Sequence, residues 1–314
     1  MWELAVKIAA AVSIVCFLLI FVFVTVRAWP VLSASGIGLF TRNTFDAQMH
    51  AATSDPSGAH ANYQYGLLGP LMGTFLSTGI ALVFATVFGV GGAVVIAEFL
   101  PRPLASACKA IVRLLASIPS VIFGLMGLIA VVPFILDNLV TPELQSRYIN
   151  EFQMTGDSFL ACVIVLTFMI VPTLISLAVD AIEAVPAHLR ESGFSFGMSH
   201  MRVIIKIVLP AARSGIIAGV ILAAGRGVGE AIAVSMVCGG VANIPNFAGN
   251  PLVALLTPIL PLSAAIVNYK EGMSIASSRE ALYACAFVLF VLGASLSLSA
   301  AAVEKRIRRS VGLA

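Results

Sequence analysis

Two opposite charges, Arg226 and Glu230, sit inside an otherwise apolar stretch of this 314-residue chain, Ile216–Val237 (IIAGVILAAGRGVGEAIAVSMV). The run is 22 residues long, enough to cross a bilayer as one helix. A central arginine costs roughly 2.5–3.5 kcal/mol on insertion scales, so it needs a compensating partner or a task. Positions four apart share a helix face, which predicts Glu230 within reach of Arg226. The chemistry these types suggest is oxyanion handling. A guanidinium offers a planar fork of donors matched to such oxygens and stays charged at any working pH. Glu230 is expected to hold Arg226 between substrates, so that the charge is never left unpaired. An exchangeable site of this kind suits a translocation path, since tight binding blocks release. The alternative is a structural ion pair at a helix–helix contact. Small residues recur every fourth position, at Gly215, Gly219, Ala223, Gly227 and Ala231, a stripe that lets another helix approach closely.

Other chemistry is absent from the sequence. No Gly-Lys dipeptide exists, so no P-loop can be drawn. Gly225, Gly227 and Gly229 lie inside an apolar run rather than after a strand, and no Ser/His/Asp arrangement of any specificity appears. The five cysteines (Cys16, Cys108, Cys162, Cys238, Cys285) are scattered without a CxxC pair, and the four histidines are dispersed. Neither a disulfide framework nor a metal site is supported. No cofactor and no catalytic residue are expected, and an energy source would have to act on a partner.

The elements that position Arg226 and Glu230 follow from composition. Hydrophobic residues make up 60% and charged residues 11% of the chain, against about 25% charged in soluble domains. Six runs are long enough to span: Ile8–Val26, Leu71–Ala97, Leu114–Leu136, Ser158–Val179, Ile216–Val237 and Ala281–Val303. This predicts an all-α, multi-pass protein of the cell membrane, one transmembrane domain over residues 1–314. The first run exceeds a signal-peptide core and is read as a retained helix. Twelve basic residues fall on one side of the resulting topology, including Arg190, Arg202, Lys206 and the Lys305–Arg309 tail, and five on the other. Both termini are therefore assigned to the cytoplasm. The net charge of +3 gives no argument for nucleic acid.

Several loops carry expectations of their own. Pro251–Val267 is apolar but only 17 residues long and contains Pro258 and Pro261, so it is read as re-entrant or interfacial on the outer side. Trp29, Tyr63 and Tyr65 are placed as interface anchors. Asp55-Pro56-Ser57-Gly58 is a turn signal, and His50 and His60 are read as solvated. The acids of 137–157 (Asp137, Glu143, Glu151, Asp157) read as solvated surface. Pro119 is expected to open a helix, with Ser117 as cap and free N–H groups able to face an anion.

The largest cytoplasmic loop, about 180–213, contains Glu191-Ser192-Gly193, then Gly197, then Ile207 and Leu209-Pro210. A short helix from near Pro186 to near Gly197 would present a knob of small side chains for docking into a partner. The spacing, with nine residues between Gly197 and Ile207, resembles the EAA loop of ABC-importer permeases, with Ser192 and Gly193 in place of the usual alanines. Leu114–Leu128 (LLASIPSVIFGLMGL) and Leu209–Val237 further resemble the phosphate-specific ABC permeases. The order GRGVGEAIAV is similar to the C-type subunit (PstC family), with Ala231 where Thr is usual and Ile232 where Met is common.

The resemblance implies a type I importer permease of six spans, not itself an enzyme, translocating inorganic phosphate. It implies a homologous A-type second permease, two copies of a cytoplasmic ATPase and an extracytoplasmic phosphate-binding protein. By motif position, the Arg and Glu that matter in that family map to Arg226 and Glu230, and the ATPase-coupling residues to Glu191, Ser192, Gly193, Gly197, Leu209 and Pro210. Rival readings are the same architecture carrying sulfate, molybdate or a phosphonate, a stand-alone secondary transporter or channel, and a non-transporting scaffold that signals phosphate status.

Overall fold

The computed structural model describes residues 2–54, 63–149 and 151–310, with side chains described inside 6–302. The Asp55–Gly58 turn and His60 lie outside the described residues, as do the side chains of the Lys305–Arg309 tail. Among the described residues six helices are long and apolar enough to cross a membrane: Val6–Ser35, Leu68–Phe99, Ser120–Leu139, Phe159–Glu183, His200–Gly229 and Ala276–Ala302. Their even number puts both ends on one side, and the basic asymmetry makes that side cytoplasmic. Among the described residues there are no strands, only two isolated bridges, Asn43–Leu67 and Gly239–Ile259.

The first helix, α1 (Trp2–Ser35), is exposed along its apolar length, as suits a peripheral span whose solvent is lipid. It is followed by α2 (Gly38–Thr41) and α3 (Phe45–Ser54) and by the long α4 (Leu68–Val94). Tyr65, read above as an interface anchor, is instead buried and packs near Phe45 at 6.3 Å between ring centres. Its aromatic bulk is worth more inside the outer cap than at the membrane surface.

The third span begins later than expected. Residues 102–117 form a separate amphipathic helix, α5 (Arg102–Ser117), and the span itself is α6 (Ser120–Met126) continued by α7 (Val132–Leu139). The extended backbone of Ile118 and Pro119 divides them. Ser117 does not cap α6; its Oγ donates to the Leu114 carbonyl at 2.7 Å. Lys109 pairs with Glu183, and Arg113 with Asp180 at 3.5 Å, tying α5 to the cytoplasmic end of the fourth span. After α8 (Pro142–Tyr148), that span is α9 (Phe159–Glu183), capped by Ser158, whose Oγ accepts from the Ala161 N–H. In the 137–157 loop Asp157 is half-buried rather than solvated, and burial raises its carboxyl pKa.

The loop after α9 forms α10 (Ala187–Ser195) and α11 (His200–Val203), which leads into α12 (Leu209–Gly229). Three π-turns, Val95–Phe99, Gly127–Val131 and Ile204–Val208, each end two positions before a proline, Pro101, Pro133 and Pro210. At Pro133 and Pro210 the helix continues, and a proline inside a helix lacks the N–H and clashes with the carbonyl four residues back, a conflict that widening one turn relieves. At Pro101 the helix instead ends in extended backbone.

The fifth span is the main departure from the sequence reading. It runs His200–Gly229, not Ile216–Val237, and the chain leaves the helix at Glu230 (φ −71°, ψ 114°) before a single turn, α13 (Ile232–Ser235). The segment read as re-entrant or interfacial packs against this break. It is α14 (Pro251–Leu256) and α15 (Leu262–Asn268) with an extended turn between, and most of 253–265 is buried. Its backbone is satisfied by protein: the Ile259 N–H donates to the Cys238 carbonyl at 2.7 Å, and the Leu262 N–H to Thr74 Oγ1 at 2.9 Å. Irregular backbone at membrane depth is tolerated only when so enclosed. The last span, α16 (Ala276–Ser310), packs on α12 and on α1, where Phe17 and Phe21 meet Phe290 at 4.8 and 5.2 Å.

Candidate functional site

Arg226 lies in the last turn of α12, half-buried. Among the described residues its hydrogen-bond partner is Thr173 of α9, whose Oγ1 accepts from Nη1 at 2.6 Å. Thr173 is fourteen residues into α9 from Phe159 and ten from Glu183, which places the contact near mid-span. Arg226 and Thr173 line one cavity of about 700 Å³ with Ile221, Leu222 and Gly225 of α12 and Leu296 and Ser297 of α16. The cavity wall is otherwise mainly apolar, and among the described residues that line it the guanidinium is the one formal charge.

Arg226 and Glu230 do not form the expected ion pair. The four-residue spacing joins them only on a continuous helix, and the helix ends at Gly229. Gly225, Gly227 and Gly229 weaken that turn, each by about 1 kcal/mol relative to alanine. Two contacts then hold the break open. Glu230 Oε1 accepts from the Ala233 N–H at 3.1 Å, and the Glu230 carbonyl accepts from Ser263 Oγ at 2.6 Å. Glu230 therefore caps the turn that follows it. The arginine is compensated differently: it sits at the carbonyl end of a helix, where the macrodipole favours a cation, and it binds a hydroxyl oxygen. A helix interrupted at mid-membrane beside a charged side chain is a recurrent way to build a polar site inside a bilayer.

The small residues of α12 set its distance from its neighbours. A Cβ on Gly215 would meet Ala181 Cβ at 2.6 Å, one on Gly219 would meet Leu177 Cβ at 3.2 Å, and one on Gly227 would meet Thr78 Cγ2 at 2.8 Å. Ala223 is fully buried. These contacts seat α12 on α9 and α4, which brings Arg226 to Thr173. The Ile118–Pro119–Ser120 corner is not among the cavity residues.

At the cytoplasmic end, α10 closes on Gly197, whose φ of +72° no other residue type adopts cheaply. The Gly197 N–H donates to the Phe194 carbonyl at 2.9 Å and the Met198 N–H to the Gly193 carbonyl at 3.2 Å, a Schellman ending. Glu191 and Ser192 are exposed, whereas Gly193 is buried. A Cβ on Gly193 would meet Ile207 Cδ1 at 2.6 Å, so its smallness serves packing within this chain rather than an external groove. Leu209 and Pro210 begin α12 behind the third π-turn.

The sequence reading missed the residue that fixes α10. Arg190 donates to the Val185 carbonyl at 2.6 Å, the Ile182 carbonyl at 2.9 Å and Glu98 Oε1 at 3.0 Å. It thereby joins α10 to the ends of α9 and of the second span. A separate apolar cluster surrounds the junction, with Ala93, Ile96, Val179, Ile182, Val203 and Val208 at its centre. Glu98 stands alone among apolar neighbours in the sequence, and that isolation was the available signal.

Comparison with known proteins bears on the whole arrangement. Residues 89–309 match the family model of the binding-protein-dependent transport system inner membrane component. The chain is 31% identical over 274 residues to the phosphate transport system permease protein PstC of Mesorhizobium japonicum, covering 84% of this chain and 77% of that one. It is 30% identical over 298 residues to PstC 1 of Mycobacterium tuberculosis, covering 90% and 85%. Among solved structures, a chain of the MetNI methionine ABC transporter in inward-facing conformations superposes with a TM-score of 0.54 at 19% identity, over 75% of this chain and 93% of the other. That likeness concerns the fold.

Proposed function

The chain belongs to the family of binding-protein-dependent transport system inner membrane components, and from that premise we propose that it is the C-type permease of an ABC importer for inorganic phosphate. It is a multi-pass membrane subunit, not an ATPase, and it works with a partner permease, an ATPase and a substrate-binding protein. The finer composition is part of the proposal: an A-type permease, two ATPase copies and an extracytoplasmic phosphate-binding protein, with residues 1–314 forming one transmembrane domain.

The observation that carries the site is Arg226 beside the middle of α9, held by a hydroxyl rather than by a carboxylate and lining a large cavity. An arginine without a counter-ion retains its attraction for an anion. Charge-assisted bonds from its remaining N–H groups give a phosphate a bidentate partner. Glu230 contributes by fixing the helix break beside Arg226 rather than by competing with the substrate. Alternating access follows if the ATPase docks on the exposed side of α10, at Glu191 and Ser192, and moves the junction around Arg190 as a unit. Relatives named as phosphate permeases favour phosphate over sulfate, molybdate or a phosphonate.

The deciding experiment is labelled-phosphate uptake in cells lacking this chain, with and without its return, under excess sulfate and molybdate. Recovery that neither competitor suppresses is the expected result. Uptake that never depended on the chain would reassign the substrate.

A further inference from the structure

We infer that Thr173 is a substrate-positioning residue: its hydroxyl orients the Arg226 guanidinium and donates a hydrogen bond to the bound oxyanion. The inference rests on the reading of Arg226 as the anion site and adds the second group of that site.

The distinguishing observation is how this hydroxyl is used. Threonine hydroxyls inside helices commonly donate to the carbonyl four residues back. Thr25, Thr74, Thr86 and Thr167 do so here, at 2.7–2.8 Å. Thr173 instead accepts from Arg226 Nη1 at 2.6 Å, and among the described residues its hydroxyl proton has no acceptor. A hydroxyl has one proton to give and lone pairs to receive. With its oxygen accepting from the guanidinium, Thr173 keeps one donor, and it lines the same cavity as Arg226. An oxyanion there would meet arginine N–H groups from α12 and an O–H from α9. Two donors on different helices fix its orientation better than one charge alone. Because the two helices are separate spans, the pair also makes the site sensitive to their relative movement.

The test uses the complete transporter in proteoliposomes, with its partner subunits and binding protein, and labelled inorganic phosphate. Thr173→Val keeps the shape and removes the hydroxyl, and uptake should fall about tenfold, the scale of one hydrogen bond to a charged group. Thr173→Ser should restore it to within roughly twofold, because the donor and acceptor return. Thr173→Val at wild-type rate, with Arg226→Ala inactive, would overturn the role of Thr173 alone. Serine as slow as valine would assign the effect to packing and overturn it too. Normal uptake by Arg226→Ala would remove the site itself and this inference with it.

Discussion

Arg190 and Glu98 meet at 3.0 Å across the junction of three helices, with the Glu98 side chain only 8% exposed. His200 stands beside them, its Nε2 3.8 Å from the other Glu98 oxygen and its ring 5.3 Å from Phe99. The proposed coupling helix α10 is thus clamped to two membrane spans by one guanidinium, and force applied to it reaches both. Truncating Arg190 leaves the buried carboxylate with only the more distant His200 ring beside it. Arg190→Ala should destabilise the protein by about 2–3 kcal/mol, a buried-pair loss discounted for partial exposure of the arginine. Thermal unfolding in detergent measures it, and pairing Arg190→Met with Glu98→Leu should recover the part due to the buried carboxylate, the Val185 and Ile182 carbonyls still lacking their donor.

Arg226→Ala should abolish phosphate uptake while the complex still assembles. Glu230→Gln should keep most of the uptake, because an amide oxygen can still accept from the Ala233 N–H. A Glu230→Gln variant as inactive as Arg226→Ala would show that the carboxylate charge itself takes part. Rates in vesicles with equal recovery of complex separate the cases.

Gly197 ends α10 at positive φ with open space around it. Gly197→Ala should cost about 1–2 kcal/mol through the left-handed backbone. Gly197→Arg should add bulk at the exposed end and weaken recovery of the ATPase subunit on co-purification. Unchanged co-purification would place the docking contact elsewhere.

Two glycines should behave oppositely. Gly215→Val forces α12 away from Ala181 and should cost about 1–3 kcal/mol by overpacking. A Cβ on Gly91 meets nothing within 4 Å, so Gly91→Ala should be neutral or stabilising by about 0.5–1 kcal/mol. Melting temperatures of the two variants decide it.

Asp46 gives a pH dependence on the outer face. Burial raises its pKa above the usual 3.8, opposed by the Ala242 N–H and the Tyr269 hydroxyl that its carboxylate accepts, and by His50 nearby. The folded protein therefore binds this proton more tightly than the unfolded chain does. This stabilisation is complete below pH 3.8 and is lost as the pH rises through the raised folded value. Asp46→Asn should flatten the melting temperature against pH across that window. An unchanged slope would assign it to another group.

Much of the fold is local information. Six apolar runs, the basic asymmetry of the loops and the helix that stops at Gly197 follow from composition, helix length and glycine backbone freedom, each acting within one segment. The presence of Arg226 in a span is likewise a fact of sequence. What holds it there is not. The four-residue spacing to Glu230 assumes an unbroken helix, and the glycine-rich turn is too weak to enforce one against Ser263, thirty-three residues away, and the Ala233 N–H. Thr173 is fifty-three residues from Arg226, and Glu98 is ninety-two from Arg190. Helical periodicity orders side chains around one axis and carries no record of which distant helix arrives beside it. Partners were decided by packing, where small residues on α12 let α9 approach and a break in the helix redirected a carboxylate from a guanidinium to a backbone N–H.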